Sequence, residues 1–360
     1  MRTRLDLILT SIVRVCVCLL LSQSPHFAAV RQLRFPGRHL VVLVHGYQGN
    51  SWDMRLFRNV LAVLHPDARF HCSTVNEGLT EGDIEAMGRR LADEVDAQVG
   101  DAGGSVGGGG GDHDVTRISF IGHSLGGLII RAALTAPAMS AHLAKLHTLV
   151  TLASPFCGYL FNQSRLLTSG LYVMQRMFGS SCLLQLSLQD HADPRQTFVY
   201  RLAHQPGLQL FRNVVLLSSP EDQVWDPWRA IFCRICIACT LVWPILTSLN
   251  IPLYAISPRR AWHGSTRAQY VPYHSARIEH CPAAAADPVW GPIYAEMVDA
   301  LLAPTAAADA SVNFTRLDVS FVKHHHGRID SFIGRAAHIS FLDQEPFIWQ
   351  LVAMCKRFFE

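Results

Sequence analysis

Short aliphatic runs alternate along this chain with segments whose apolar residues recur every three or four positions. The runs at 40–44 (LVVLV), 118–121, 148–152 and 214–217 hold four or five mainly aliphatic or β-branched residues each. That pattern predicts strands buried on both faces of a parallel sheet. A further strand is predicted at 317–322. Between the first two runs, 83–99 places Ile84, Met87, Leu91 and Val95 on one helical face, with Arg89, Arg90, Asp93 and Glu94 largely elsewhere. Strands alternating with helices predict an α/β fold with an open, mostly parallel central sheet flanked by helices.

Two segments depart from this rhythm. Residues 1–4 are basic, 5–21 are mostly apolar, and a small-residue stretch ends at Ala28 and Ala29, which fits a secretory signal peptide interrupted by Arg14. The second segment is 224–269, whose apolar centre at 231–256 has about the length of a membrane span. It carries Trp225, Trp228, Trp243 and Trp262, and five arginines against one aspartate. Pro244, Pro252 and Arg234 count against a spanning helix. The two segments account for much of an unusual composition: 49% hydrophobic and 16% charged residues, against about 25% charged in ordinary soluble chains. Setting them aside leaves a length that suits one domain, 36–360, interrupted by 224–269.

Other compositional signals are weaker. The ten cysteines are scattered, and Cys233, Cys236 and Cys239 lack a nearby fourth ligand for a metal cluster. Eight glycines fall within 100–111, but they precede a strand instead of following one, so they read as a loop and not a nucleotide site. The basic excess lies in 224–269 and leaves no stripe for nucleic acid.

The chemistry centres on Gly122-His123-Ser124-Leu125-Gly126, between the strand at 118–121 and a helix-compatible stretch. A serine on a sharp strand-to-helix turn requires small neighbours, here Gly122 and Gly126, and the helix N-terminus behind it favours developing negative charge. His45-Gly46-Tyr47 follows the first strand, where a second oxyanion donor is expected; the donors would be the N–H of Leu125 and that of Gly46 or Tyr47. A base and its orienting acid must follow. His338, beyond the strand at 317–322, is favoured over the solvated run His324-His325-His326. Asp222, shortly after the strand at 214–217, is favoured over Glu221, Asp190 and Asp193, the last two in a turn-like context.

The blocks HLVVLVHGYQGNSWDMR at 39–55, ISFIGHSLGGLIIR at 118–131, QDHADPRQTFVYRL at 189–202, YVPYHSARIE at 270–279 and IGRAAHISFLD at 333–343 resemble the eukaryotic putative serine esterase, lipase-like family of α/β-hydrolases. The resemblance covers about 39–223 and 270–356. It implies an α/β-hydrolase fold and Ser124, Asp222 and His338 as a catalytic triad, and it supplies no substrate. In that family the aspartate nearly adjoins the Tyr-Val-Pro-Tyr-His-Ser run. Here 224–269 separates Asp222-Gln223 from Tyr270, and because valine codons begin with GT and a glutamine codon can end in AG, the segment reads as a retained intron, with an apolar lid as the rival. The family's hydrolase segment commonly ends a longer polypeptide, so 1–35 reads either as a leader, implying the secretory pathway, or as a stray start, implying the cytoplasm.

The sequence thus predicts a serine hydrolase acting on carboxylic esters, with a lipid or acyl ester as substrate, transient membrane-surface contact, no metal and no organic cofactor. Two other readings stand beside it: a catalytically impaired interaction protein with the same fold, and a membrane-associated protein using 5–21 and 231–256.

Overall fold

The computed structural model of the protein describes residues 39–100, 115–161, 180–219, 255–257, 271–306, 312–321 and 335–359. The 1–35 segment, residues 101–111 of the glycine-rich stretch, and 224–254 and 258–269 of the predicted insertion lie outside the described residues. Of the two candidate membrane spans, only Ala255 and Ile256 are described, and they form part of a strand. Among the described residues no single helix is long and apolar enough to cross a membrane.

Among the described residues seven strands form one sheet: β1 (His39–Val44), β2 (Ala68–Cys72), β3 (Arg117–His123), β4 (Leu146–Leu152), β5 (Asn213–Ser218), β6 (Ala255–Ser257) and β7 (Asn313–Ser320), in the order β2-β1-β3-β4-β5-β7-β6. All neighbours are parallel except β6, which pairs antiparallel with β7. The mostly parallel sheet predicted from the aliphatic runs is therefore present, and every residue of β1, β4 and β5 is buried. Side chains alternate between two cores. Leu40, Val42, Phe120, Leu149 and Val214 enter one, while Val41, Leu43, Ile121, Val150 and Val215 enter the other.

Helices cover both faces. On the first face α2 (Ile84–Gly100) buries Ile84, Met87, Leu91 and Val95 completely. Its start is set by Asp83, whose Oδ1 accepts the Ala86 N–H at 2.8 Å, a capping bond that satisfies a donor the helix cannot. Beside it lie α3 (Leu125–Ala133) and, further along, α8 (Trp290–Ala306). On the second face α1 (Arg55–Leu64) and the C-terminal α10 (Glu345–Phe359) contribute Phe57, Leu61, Phe347 and Leu351. Full burial of each such side chain contributes about 1.5–3 kcal/mol.

Three short helices, α4 (Ser181–Leu186), α5 (Phe198–Ala203) and α6 (Tyr273–Arg277), complete the first face, with α7 (Pro282–Ala285) and α9 (Arg335–Asp343) in the connections. Arg131, on α3, fastens α5 in place. Its buried guanidinium donates to the carbonyls of Leu202 (2.8 Å), Gln205 (3.0 Å) and Pro206 (3.0 Å). Leu202 O also accepts the Gln205 N–H, and the other two carbonyls belong to the chain just past α5, so the guanidinium fixes the exit from the helix and places a cation at the negative end of its dipole. Gly207 leaves room for it: a Cβ at that position would stand 1.0 Å from Arg131 Nη1. Helix α3 is thereby braced at its far end, behind its first turn.

Candidate active site

Ser124 joins β3 to α3 with φ 54° and ψ −122°, a conformation that costs a non-glycine residue about 1–3 kcal/mol and persists only where neighbours over-determine it. Those neighbours are present. The Ser124 N–H donates to Leu152 O at the end of β4 (2.9 Å), and Ser124 O accepts from Gly127 N (3.2 Å) to begin the helix.

Two glycines allow the close approach this turn needs. A Cβ on Gly126 would lie 2.4 Å from Val44 O, so the first turn of α3 can rest on the end of β1 only with glycine there. A Cβ on Gly46 would lie 2.9 Å from Ser124 Cβ and 3.0 Å from His123 O. The loop after β1 is thus pressed against the serine. Both predicted oxyanion segments, Leu125 and Gly46-Tyr47, meet at Ser124. The loop is held from outside by the Gln48 N–H to Thr80 Oγ1 (2.8 Å) and by Gln48 Nε2 (2.8 Å) and the Tyr47 hydroxyl (3.4 Å) to Glu81. Burial, with Glu81 beside it, pushes the Tyr47 phenol up to about 12, so it stays a neutral donor.

Three buried imidazoles, His45, His123 and His338, lie at this end of the sheet. His338 lies on α9 and is buried; its ring centroid is 4.6 Å from that of His123, and His123 Nε2 is 3.2 Å from His338 O. Burial holds His123 down to about 4 and His338 well below its ordinary value, His123 adding to the latter. His45, also buried, turns Nδ1 toward Gly46 O (3.1 Å), while its Nε2 is buried with no hydrogen-bond partner. The structure therefore gathers Gly46, Tyr47, Gly122, His123, Ser124, Leu125, Gly126 and His338 at one end of the sheet.

Asp222 lies outside the described residues, as do Glu221 and His324-His325-His326. The strand before it, β5, ends at Ser218 beside Asp318 of β7. The two competing aspartates have other work. Asp190 Oδ2 accepts the Phe198 N–H (2.8 Å) at the start of α5, and Asp193 Oδ1 accepts from Arg195 N (2.9 Å).

Sequence reasoning missed Asp318. This buried carboxylate accepts from the Tyr273 hydroxyl (2.9 Å), the Ser218 hydroxyl (3.1 Å) and the Arg277 guanidinium, which also clasps Glu279. Ser275, two residues after Tyr273, accepts the Cys157 N–H and donates to Gly158 O, both at 2.9 Å. The block Tyr273-His274-Ser275-Ala276-Arg277 thus ties α6 to β5, to β7 and to the turn after β4. A period-two reading of Phe314, Arg316, Asp318 against Leu317, Val319 was the available signal for an inward-facing carboxylate.

The model of the putative serine esterase (DUF676) family matches residues 36–231, more than half of the chain. Among solved structures, a putative cell surface hydrolase from Lactobacillus plantarum WCFS1 is similar at 12% identity, with 88% of this chain and 97% of that one covered and a TM-score of 0.35. Phospholipase PlaB from Legionella pneumophila shares 16% identity over 53% of this chain and 42% of that one, TM-score 0.34. A lipase-esterase related protein from Clostridium acetobutylicum ATCC 824 shares 12% over 50% and 75%, TM-score 0.28.

Proposed function

The chain belongs to the putative serine esterase (DUF676) family and is an ester hydrolase of the α/β-hydrolase class, and from that premise we propose that it cleaves carboxylic esters of lipids through Ser124, His338 and Asp222. Ser124 Oγ attacks the ester carbonyl carbon while His338 accepts its proton. The carbonyl oxygen becomes an oxyanion facing the N–H groups of Leu125 and of Gly46 or Tyr47. Collapse expels the alcohol, protonated by His338, and leaves an acyl-enzyme. Water, deprotonated by His338, then releases the acid and restores Ser124. Asp222 orients the imidazole and stabilises it when charged.

The observation that carries this reading is the left-handed backbone of Ser124 with the Gly46 loop packed against it, because strain of this kind places a hydroxyl beside two main-chain donors. The lipid part rests on Trp52, 72% exposed on the 3-10 turn after that loop, and Ile339, 41% exposed next to His338. The two elements bearing them touch, giving the site an apolar rim.

Labelling with a fluorophosphonate tests the nucleophile, using this chain and a form lacking 224–269, each with and without Ser124→Ala. Label is expected on Ser124 and absent from the alanine variants; label that survives Ser124→Ala removes the assignment. Failure of both serine forms to label would favour a catalytically silent scaffold. Recovery only on deletion would mark 224–269 as foreign to the working enzyme. For the rim, Trp52→Ser should lower turnover of esters in phosphatidylcholine vesicles several-fold more than turnover of soluble p-nitrophenyl butyrate. Equal losses on both would argue against a lipid surface.

A further inference from the structure

We infer that His123, the residue before the nucleophile, is the positioning residue for the base, holding His338 in place by a hydrogen bond to its main chain and a ring contact with its side chain. The inference rests on the proposed role of His338.

The bond joins residues that are 215 apart in sequence. A carbonyl oxygen only accepts, so His123 Nε2 must carry the hydrogen, and Nδ1 is left as the bare acceptor nitrogen. Nδ1 faces the oxyanion loop, 3.3 Å from where a Cβ on Gly46 would stand. His123 is itself immobile, because it is the last residue of β3, paired in register with Leu152, and buried. The helix carrying His338, by contrast, has only nine residues. A rigid strand end therefore sets the place of a short helix, and does so from the residue adjacent to Ser124. The distance between nucleophile and base is then fixed through one side chain.

The ring contact adds a constraint on charge. When His338 takes the serine proton it becomes a cation 4.6 Å, centroid to centroid, from His123. A second cation there would oppose it. The groups facing His123 are His338 from α9, His45 from the end of β1 and Asp53 from the 3-10 turn; the bond to the His338 carbonyl and, less, Asp53 favour charging, and burial outweighs both. His123 stays a neutral donor throughout turnover at neutral pH.

Two substitutions separate the parts. His123→Phe keeps a ring against His338 and removes the donor; His123→Gln loses the ring and keeps an amide N–H near the position of Nε2. With p-nitrophenyl butyrate, His123→Phe should lower kcat between about 10-fold and 10²-fold, the cost of a small misplacement of a reacting group. KM should change little, the acid limb of the pH profile should move, and His123→Gln should recover most of the loss. Wild-type kcat and pH profile in folded His123→Phe, or no recovery in His123→Gln, would overturn the inference. His338→Ala distinguishes the two levels: full activity in that variant removes the base assignment itself. A readout independent of turnover is the imidazole 15N spectrum of the wild-type protein, where His123 should show a protonated Nε2 and bare Nδ1 from pH 5 to 8. The opposite tautomer would sink the inference even if every variant misfolded.

Discussion

Gly126 illustrates how much of the site depends on an absent side chain. An added Cβ would meet Val44 O at 2.4 Å and His45 O at 2.9 Å, and both belong to main chain that cannot swing aside. Gly126→Ala should therefore cost about 1–3 kcal/mol of stability, as overpacking does, and should slow fluorophosphonate labelling more than that loss explains, because α3 and the Gly46 loop must part. Urea unfolding and labelling rate, measured on the same sample, check both. The glycine spacing around Ser124 was legible because sterics at a sharp turn leave a mark in the sequence itself. The contact of His123 with His338 was not, since nothing local in either segment records a partner 215 residues away. For the same reason Asp318 went unseen, whereas the turn-like context of Asp190 and Asp193 was visible because their bonds are to residues close by.

Helix α6 has five residues and could not persist alone; its buried polar side chains hold it. Arg277 is the hub, with 4% exposure. Arg277→Met leaves Asp318 buried without its cation, and the expected loss is about 3–5 kcal/mol. The double variant Arg277→Met, Asp318→Leu should regain part of it, and a double-mutant cycle by urea unfolding measures the coupling. If the double variant is as unstable as the single one, the loss belongs to packing of the arginine stem and not to the stranded carboxylate. Among the strands, β1, β3, β4 and β5 were visible as aliphatic runs because both faces of each are covered. β2, with sequence ARFHC, was not: its five residues are all half-buried at the sheet edge, where burial demands little of composition. β7 begins four residues before the predicted strand, because three of its first four residues, Asn313, Thr315 and Arg316, are polar and give no aliphatic run.

The whole molecule should be acid-sensitive. At the end of the sheet remote from Ser124, His39 bonds the Ser119 hydroxyl at 2.7 Å and lies 5.5 Å from the His147 ring. Burial first, then Arg117 and His147, hold His39 down to about 3; His123 and His338 are also depressed, chiefly by burial. A histidine that resists protonation in the folded state binds its proton more readily when unfolded. Its contribution is complete above about pH 6.5 and is lost as pH falls from there toward its folded value. For His39 alone the loss between pH 7.5 and 5 is about 2 kcal/mol. Urea unfolding at the two pH values should show it, and His39→Gln should remove part of the difference. The polar cluster itself was invisible in the sequence, where the eighteen histidines are spread along the chain and only folding brings His39 beside His147 and His123 beside His338.

The outer strand β6 lies within 224–269, the segment that the sequence predicts to be an insertion, and it covers the last three of the eight residues of β7, Asp318 to Ser320. Removing the insertion would uncover main-chain donors and acceptors at an open sheet edge, which is a template for a second chain. The shortened form should therefore self-associate as its concentration rises, seen as earlier elution in size-exclusion chromatography than the full chain, and a charged residue at Val319 would not be a neutral remedy because that side chain is buried. Whatever its origin, the insertion would then act as a guard against aggregation, and a shortened enzyme would need another edge cover to stay monomeric.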